Sequence, residues 1–202
     1  MQLLLIRHGL PERIEHDNGE VADPSLSEVG RQQAQAMARH LAAEPIDAIY
    51  ASTAARAVET AAPLAADRGV EVPTLEALVE YDFGSSAYIP IEEVGADHPE
   101  LAKWLPWFQP LEAGSEPDRF RDRVQAAMTE IVRSHKSQTV AVVSHGGTIN
   151  AYLSGLLGLE RAMIFVPDYT SVSRLSVSSG GFWTLECLNE RTHLATMADV
   201  SP

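Results

Sequence analysis

The sequence predicts an α/β fold: a three-layer sandwich with a mostly parallel central sheet, helices on both faces and one antiparallel edge strand. Three observations predict it. Uninterrupted apolar runs at 2–6 and 140–144 read as buried parallel strands, because a strand covered on both faces needs no polar alternation. Each run ends in a polar, glycine-bearing triplet, Arg7-His8-Gly9 in one case and His145-Gly146-Gly147 in the other. Strand and helix patterns alternate along much of the chain, as in parallel sheets joined by crossover helices.

The elements follow in order. After the first strand an irregular acidic loop occupies 11–24. Ser27 can then cap a helix whose apolar positions Val29, Ala34, Met37 and Leu41 recur at helical spacing, and Pro45 lies beyond its end. Residues 46–51 form a second strand. Ser52 or Thr53 caps a second helix that runs through Ala55 to about Asp67, where Gly69 stops it. Between 84 and 114 the periodicity weakens while prolines and the aromatics Tyr88, Trp104, Trp107 and Phe108 accumulate, which predicts a partly helical insertion over the active site. The strand at 140–144 leads into a helix over 148–157. Apolar runs at 172–177 and 182–188, separated by Ser179-Gly180-Gly181, form a closing hairpin that adds the antiparallel edge. No repeat, low-complexity tract or linker divides the chain, so 1–202 is expected to be a single domain.

With 202 residues, 45% of them hydrophobic and 21% charged, the chain can bury one sizeable core. Its formal net charge of -13 argues against an electrostatic grip on nucleic acid or on a membrane surface, since both polyanions would be repelled. An anionic substrate must therefore be small and met by a local cationic pocket. The single cysteine, Cys187, allows no intramolecular disulfide, and its apolar setting suggests a core thiol. The apolar stretch at Met1 reaches Arg7 too soon for a signal-peptide core or a bilayer span, so the expected location is cytoplasmic. An exposed edge at the hairpin could support a homodimer.

Ligands of open parallel sheets bind outside the C-terminal ends of the strands, where both triplets fall. Phosphoryl transfer from a monoester needs a nucleophile, cationic donors around the non-bridging oxygens and an acid for the departing alkoxide. The chain has a candidate for each role. A neutral His8 can attack phosphorus if its other ring nitrogen is fixed by a hydrogen bond, with Gly9 leaving room for the partner. Arg7 and Arg56 offer permanently charged planar forks, and a protonated His145 could add a further donor. Exposed amides at the helix start near Thr53 could reinforce the pocket.

These residues sit in a recognisable order. LLLIRHG at the start, Asp23-Pro24-Ser25-Leu26-Ser27-Glu28-Val29-Gly30 with Gln33-Ala34, Ser52 through Arg56 to Thr60-Ala61, Leu78-Val79-Glu80-Tyr81-Asp82-Phe83-Gly84, and SHGG ending at Gly147 resemble the histidine phosphatase superfamily, also called phosphoglycerate mutase-like. Asn189 and His193-Leu194 resemble its C-terminal pattern. The resemblance covers most of the chain and implies phosphomonoester hydrolysis through a phosphohistidine on His8. It also implies that Arg7, Arg56 and His145 bind the phosphoryl group and that Glu80 first protonates the leaving group, then activates water. No metal or other cofactor is implied. The sequence departs from the common pattern at Leu10-Pro11 and Ile14, positions that often hold a threonine and an asparagine.

Each residue has a plainer reading. His8 and His145 could be structural, and Arg56 could pair on the surface with Glu59 or Glu28. Asp82 is the main rival to Glu80 as proton donor, with Glu76, Glu92 and Glu93 nearby. His16, His40, His98 and His135 lie in polar surroundings with no expected chemistry, and His193 is ambiguous. Trp104, Trp107 and Phe108 could line a cleft or pack the insertion. Alternative functions are a phosphoglycerate-type mutase, a non-catalytic phosphate-binding protein and a metal-dependent hydrolase, the last lacking closely spaced His and carboxylate pairs.

Overall fold

The computed structural model describes residues 1–89, 105–195 and 197. Its strands are β1 (Gln2–Arg7), β2 (Ile14–Glu15), β3 (Ala48–Ser52), β4 (Thr74–Leu75), β5 (Ala87–Tyr88), β6 (Thr139–Ser144), β7 (Val172–Val177) and β8 (Trp183–Glu190). The helices are α1 (Glu28–His40), α2 (Ala55–Ala66), α3 (Glu116–Ser134) and α4 (Gly146–Leu156). Six strands form one sheet in the order β4-β3-β6-β1-β7-β8. β1, β3, β4 and β6 run parallel, whereas β7 is antiparallel to β1 and β8 to β7. The expected antiparallel strand is therefore β7, one place in from the edge, and β8 itself is the edge.

Alternation along the central strands divides the core into two layers. Leu4 and Ile6 of β1, with Ala141 and Val143 of β6, pack against Met37, Leu41, Ala57 and Leu64 of α1 and α2. Leu3, Leu5, Val140 and Val142 point the other way, onto Phe120, Val124 and Met128 of α3 and Ile149 and Leu153 of α4. Helices thus cover both faces, and the central strands need no polar side.

Helix α1 starts as expected: the Ser27 hydroxyl oxygen accepts from Gly30 N at 3.0 Å and donates to Leu10 O at 2.9 Å. Helix α2 does not. Its N-cap is Ala54, which has no capping side chain, and the amide of Ala55 instead reaches the Asp23 carboxylate at 3.0 Å. The anion that serves this helix start comes from the loop before α1. Helix α4 begins at Gly146, two residues before the expected 148, so the paired glycines form its first turn.

Residues 116–134 carried no expectation, yet Ser115 caps α3 and Phe120, Val124, Met128 and Ile131 bury one stripe of it. Of the insertion expected at 84–114, residues 90–104 lie outside the described residues, Trp104, Glu92, Glu93 and His98 among them. Its described parts are β5, which pairs with β2 in a two-stranded antiparallel sheet, and a 3-10 turn at Leu105–Phe108. Cys187 is half-buried on the edge strand rather than in the core, because among the described residues β8 has no neighbouring strand beyond it. Among the described residues no helix is long and apolar enough to cross a membrane.

Candidate active site

Register places the site. Arg7 lies opposite Ser144 and Ala51 opposite Val143, so β1, β6 and β3 end at one level of the sheet. His8, His145 and Ser52 leave those three ends together. The imidazole centroids of His8 and His145 are 5.1 Å apart at an interplanar angle of 61°.

The loop bearing His8 is held on every side. His8 N donates to Ser144 O at 2.9 Å, Gly9 N to Thr60 Oγ1 at 2.9 Å, and Thr170 N to the carbonyl oxygens of Arg7 and His8 at 3.1 and 3.3 Å. Thr60 Oγ1 in turn donates to Arg56 O at 2.6 Å, which ties α2 to the same loop. Gly9 is needed for close approach to α1, since a Cβ there would come within 2.7 Å of Gly30 O. The partner expected for the His8 ring is the carbonyl of Gly9 itself, 2.8 Å from Nδ1. A carbonyl can only accept, so Nδ1 carries the proton and Nε2 keeps its lone pair. Arg56 Nε, 3.4 Å away, donates toward that lone pair. Burial, and then the charges of Arg56 and Arg7, hold the His8 pKa well below 6.5.

His145 is fully buried and its Nε2 lies 2.7 Å from Ser52 Oγ. Its Nδ1 is a buried atom with no hydrogen-bond partner among the described residues. Burial, followed by Arg56, lowers the pKa of this imidazole well below 6.5 too, which disfavours the protonated His145 expected as an extra charged donor. The permanent charges are the guanidiniums. Arg7 Nη1 donates to Pro167 O at 2.6 Å and its Cζ sits 3.8 Å from the centroid of Tyr169. Arg56 lies 4.6 Å over the ring of Tyr88 and 3.7 Å from an Asp23 oxygen, and only 1% of its surface is exposed. It pairs with neither Glu59 nor Glu28, whose carboxylates accept from Leu26 N and Arg31.

Glu80 enters from the opposite wall. Its Oε2 accepts from Gly147 N at 2.8 Å and its Oε1 from Tyr81 N at 3.1 Å. The buried first-turn amide of Gly147 in α4 therefore serves Glu80, and the amides of Ala54 and Ala55 near Thr53 are taken by Ser52 and Asp23 rather than offered to the pocket. Gly147 must be glycine, because a Cβ would lie inside van der Waals contact with Glu80 Oε1. Burial and the neighbouring Asp82 push the Glu80 pKa from 4.5 to about 7. Arg7, His8, Arg56, Glu80, Asp82 and Tyr88 line one pocket. Such a pocket combines a bare nitrogen nucleophile, two fixed cations and a carboxyl that holds a proton near neutrality.

Sequence reasoning missed Tyr169 and gave Tyr88 no role, although both rings stack on the guanidiniums. Tyr88 lay in an aromatic-rich segment that hinted at a cleft; the surroundings of Tyr169 gave no signal. His193 is outside the pocket. It is buried, with Nε2 3.0 Å from Thr170 Oγ1, and burial and His40 lower its pKa to about 4. His135 bonds Tyr50 at 2.9 Å and His40 bonds Glu190 at 2.7 Å, and neither histidine lines the pocket. Among the described residues, no three His, Cys, Asp or Glu side chains are grouped to hold a metal ion.

Comparison with known proteins identifies relatives over nearly the whole chain. The sequence profile of the histidine phosphatase superfamily (branch 1) matches residues 3–191. Phosphoserine phosphatase 1 of Hydrogenobacter thermophilus is 32% identical over 165 residues, covering 79% of this chain and 78% of that protein. Phosphoglycerate mutase-like protein 4 of Arabidopsis thaliana is 30% identical over 200 residues, covering 96% and 86%. The crystal structure of a phosphoserine phosphatase mutant from Entamoeba histolytica in complex with phosphoserine superposes with a TM-score of 0.75 at 26% identity, covering 96% of this chain and 98% of that one. These likenesses support a phosphatase activity.

Proposed function

This chain belongs to the histidine phosphatase superfamily (branch 1), and we propose that it hydrolyses a small phosphomonoester through a phosphohistidine on His8, with Glu80 moving the protons. The observation that carries the proposal is the lone pair on Nε2 of a neutral His8, fixed by the Nδ1 contact to Gly9 O at 2.8 Å and set among Arg56, Arg7 and His145.

In the first step Nε2 attacks phosphorus and the P–O bond to the alcohol breaks. Arg7 and Arg56 hold the non-bridging oxygens, and His145 turns its unpartnered Nδ1 toward the same anion. Glu80, protonated below about pH 7, gives its proton to the departing alkoxide. In the second step the resulting carboxylate takes a proton from water, the hydroxide attacks phosphorus and the P–N bond breaks. Phosphate leaves, and His8 and Glu80 regain their starting states. No step calls for a metal or an organic cofactor. Glu80 is preferred to Asp82 because two backbone amides fix its carboxyl in the pocket.

The test is hydrolysis of an aryl phosphate by the wild type, by His8→Ala and by the wild type with a chelator. Turnover should resist the chelator and vanish in the variant, and the trapped phosphoenzyme should be acid-labile and base-stable. Activity that survives His8→Ala would reject the nucleophile. A rearranged ester in place of free phosphate would reassign the chain to mutase chemistry.

A further inference from the structure

The proposed chemistry leaves one buried histidine unused. His193, in the 3-10 turn Thr192–Leu194, is 8% exposed and packs its ring 5.4 Å from that of His40 at the end of α1. Its Nε2 lies 3.0 Å from Thr170 Oγ1, whereas its Nδ1 is buried with no hydrogen-bond partner among the described residues. An apolar ring would fill the same space without leaving a polar atom unmet. The contact to Thr170 is therefore what distinguishes a histidine here.

Thr170 leads from that contact to the nucleophile. Its φ is 56°, a left-handed conformation that branched side chains rarely adopt. In this conformation its amide donates to the carbonyl oxygens of both Arg7 and His8, at 3.1 and 3.3 Å. Those carbonyls belong to the two peptide groups that flank the His8 Cα. Turning either plane swings the Cα–Cβ bond, and the displacement is largest at the far end of the side chain, where Nε2 sits. Nearby Asp168 is fastened in the same way, since its amide donates to Asn189 Oδ1 at 2.8 Å and its Oδ2 accepts from Asn189 Nδ2 at 2.6 Å. The end of the chain thus grips the segment before β7, and that segment grips the loop after β1.

We infer that His193 is a positioning residue: by bonding the Thr170 hydroxyl it holds the Thr170 amide on the two peptides that flank His8, and so keeps Nε2 where phosphorus is attacked. This rests on the phosphatase reading above and adds to it a residue outside the pocket.

The experiment compares His193→Phe, which keeps a buried ring and removes the nitrogen, with His193→Gln, which keeps a hydrogen-bonding group at about the reach of Nε2. With nitrophenyl phosphate the Phe variant should lose about 10–100-fold in kcat. Its Ki for inorganic phosphate should change by less than about threefold, because Arg7 and Arg56 keep their supports in Pro167 O, Tyr169 and Tyr88. The Gln variant should return to within about threefold of the wild-type kcat. A wild-type kcat in the Phe variant overturns the inference, as do a Gln variant no better than Phe and equal losses in kcat and phosphate affinity. Thr170→Val and Thr170→Ser repeat the comparison from the other partner should His193→Phe not fold. Valine should lose about 10–100-fold in kcat and serine less than about threefold; equal values overturn the inference. The ring-nitrogen NMR signals of His8 separate this inference from the catalytic one, since they need no turnover. Wild type and His193→Gln should show the Nδ1–H tautomer and His193→Phe a mixture, even if the wild type hydrolyses no ester; identical signals in all three overturn the positioning role.

Discussion

Replacing Glu80 by Gln tests the central electrostatic argument in two independent ways. Burial and Asp82 raise the folded-state pKa from 4.5 to about 7, a difference equivalent to about 3 kcal/mol between the two protonation states. Between those pH values the folded protein keeps a proton that the unfolded chain has released. The contribution of this proton to stability should therefore be fully present below pH 4.5 and be lost as pH rises through 7. Glu80→Gln cannot ionise and escapes that loss. The side chain is half-buried and partly screened by solvent, so we expect about 1–3 kcal/mol of that difference to appear. Urea unfolding of both proteins at pH 5 and pH 8 measures it: the variant should gain about 1–3 kcal/mol relative to wild type between the two. Kinetically, the variant should lose about 10²–10⁴-fold on alkyl phosphates and much less on nitrophenyl phosphate, whose leaving group needs no proton. A stability difference that stays flat with pH refutes the shifted pKa. Equal losses on both substrates refute Glu80 as the acid.

Three further substitutions separate the supports of the site. Gly147→Ala drives a methyl into the Glu80 carboxyl, which two backbone amides hold, and against the Tyr81 ring, so unfolding should show a loss of about 1–3 kcal/mol and alkyl phosphate turnover should fall about 10–100-fold. Gly30→Ala meets Leu10 O and Leu10 N, which are backbone and cannot yield, so thermal or urea unfolding should show a loss of about 2–3 kcal/mol. Thr60→Val is nearly isosteric but leaves Gly9 N without its acceptor at 2.9 Å. It should cost about 1–3 kcal/mol in unfolding free energy and lower kcat, with His8 less firmly set.

The strands that carry the site were legible because their apolar runs are long and unbroken: Leu3, Leu4, Leu5 and Ile6 all read as core, and all are buried. His8 and His145 followed from the rule that parallel strands point their C-terminal ends at the ligand. Arg56 was a candidate by its chemistry and gained weight through family resemblance, while Glu80 was legible only through that resemblance, because neither stands at a strand end. What escaped was contact between segments distant in sequence. The Asp23 carboxylate at the start of α2, the Gly147 amide on Glu80 and the Tyr169 ring under Arg7 each depend on tertiary approach that no local pattern encodes. The α3 spacing of Phe120, Val124, Met128 and Ile131 was readable in principle, and its many charged neighbours lie on the solvent side.

One physical cause unites the protonation states the proposed mechanism needs. An ordinary imidazole is a free base only above about pH 6.5, and an ordinary glutamic acid holds its proton only below about pH 4.3. In water, then, the two required forms are never both abundant. Withdrawal of solvent penalises charge wherever it would sit, so it moves a base and an acid in opposite directions: His8 falls well below 6.5 and Glu80 rises to about 7. The order of the two pKa values is inverted, and a window opens below neutrality in which neutral nucleophile and protonated acid coexist. Burial that neutralises both imidazoles also explains why the charge facing phosphate must come from arginines, the cations that burial does not discharge. A change that admits water to this pocket should close the window from both sides at once, lowering activity more than the loss of any one contact would suggest.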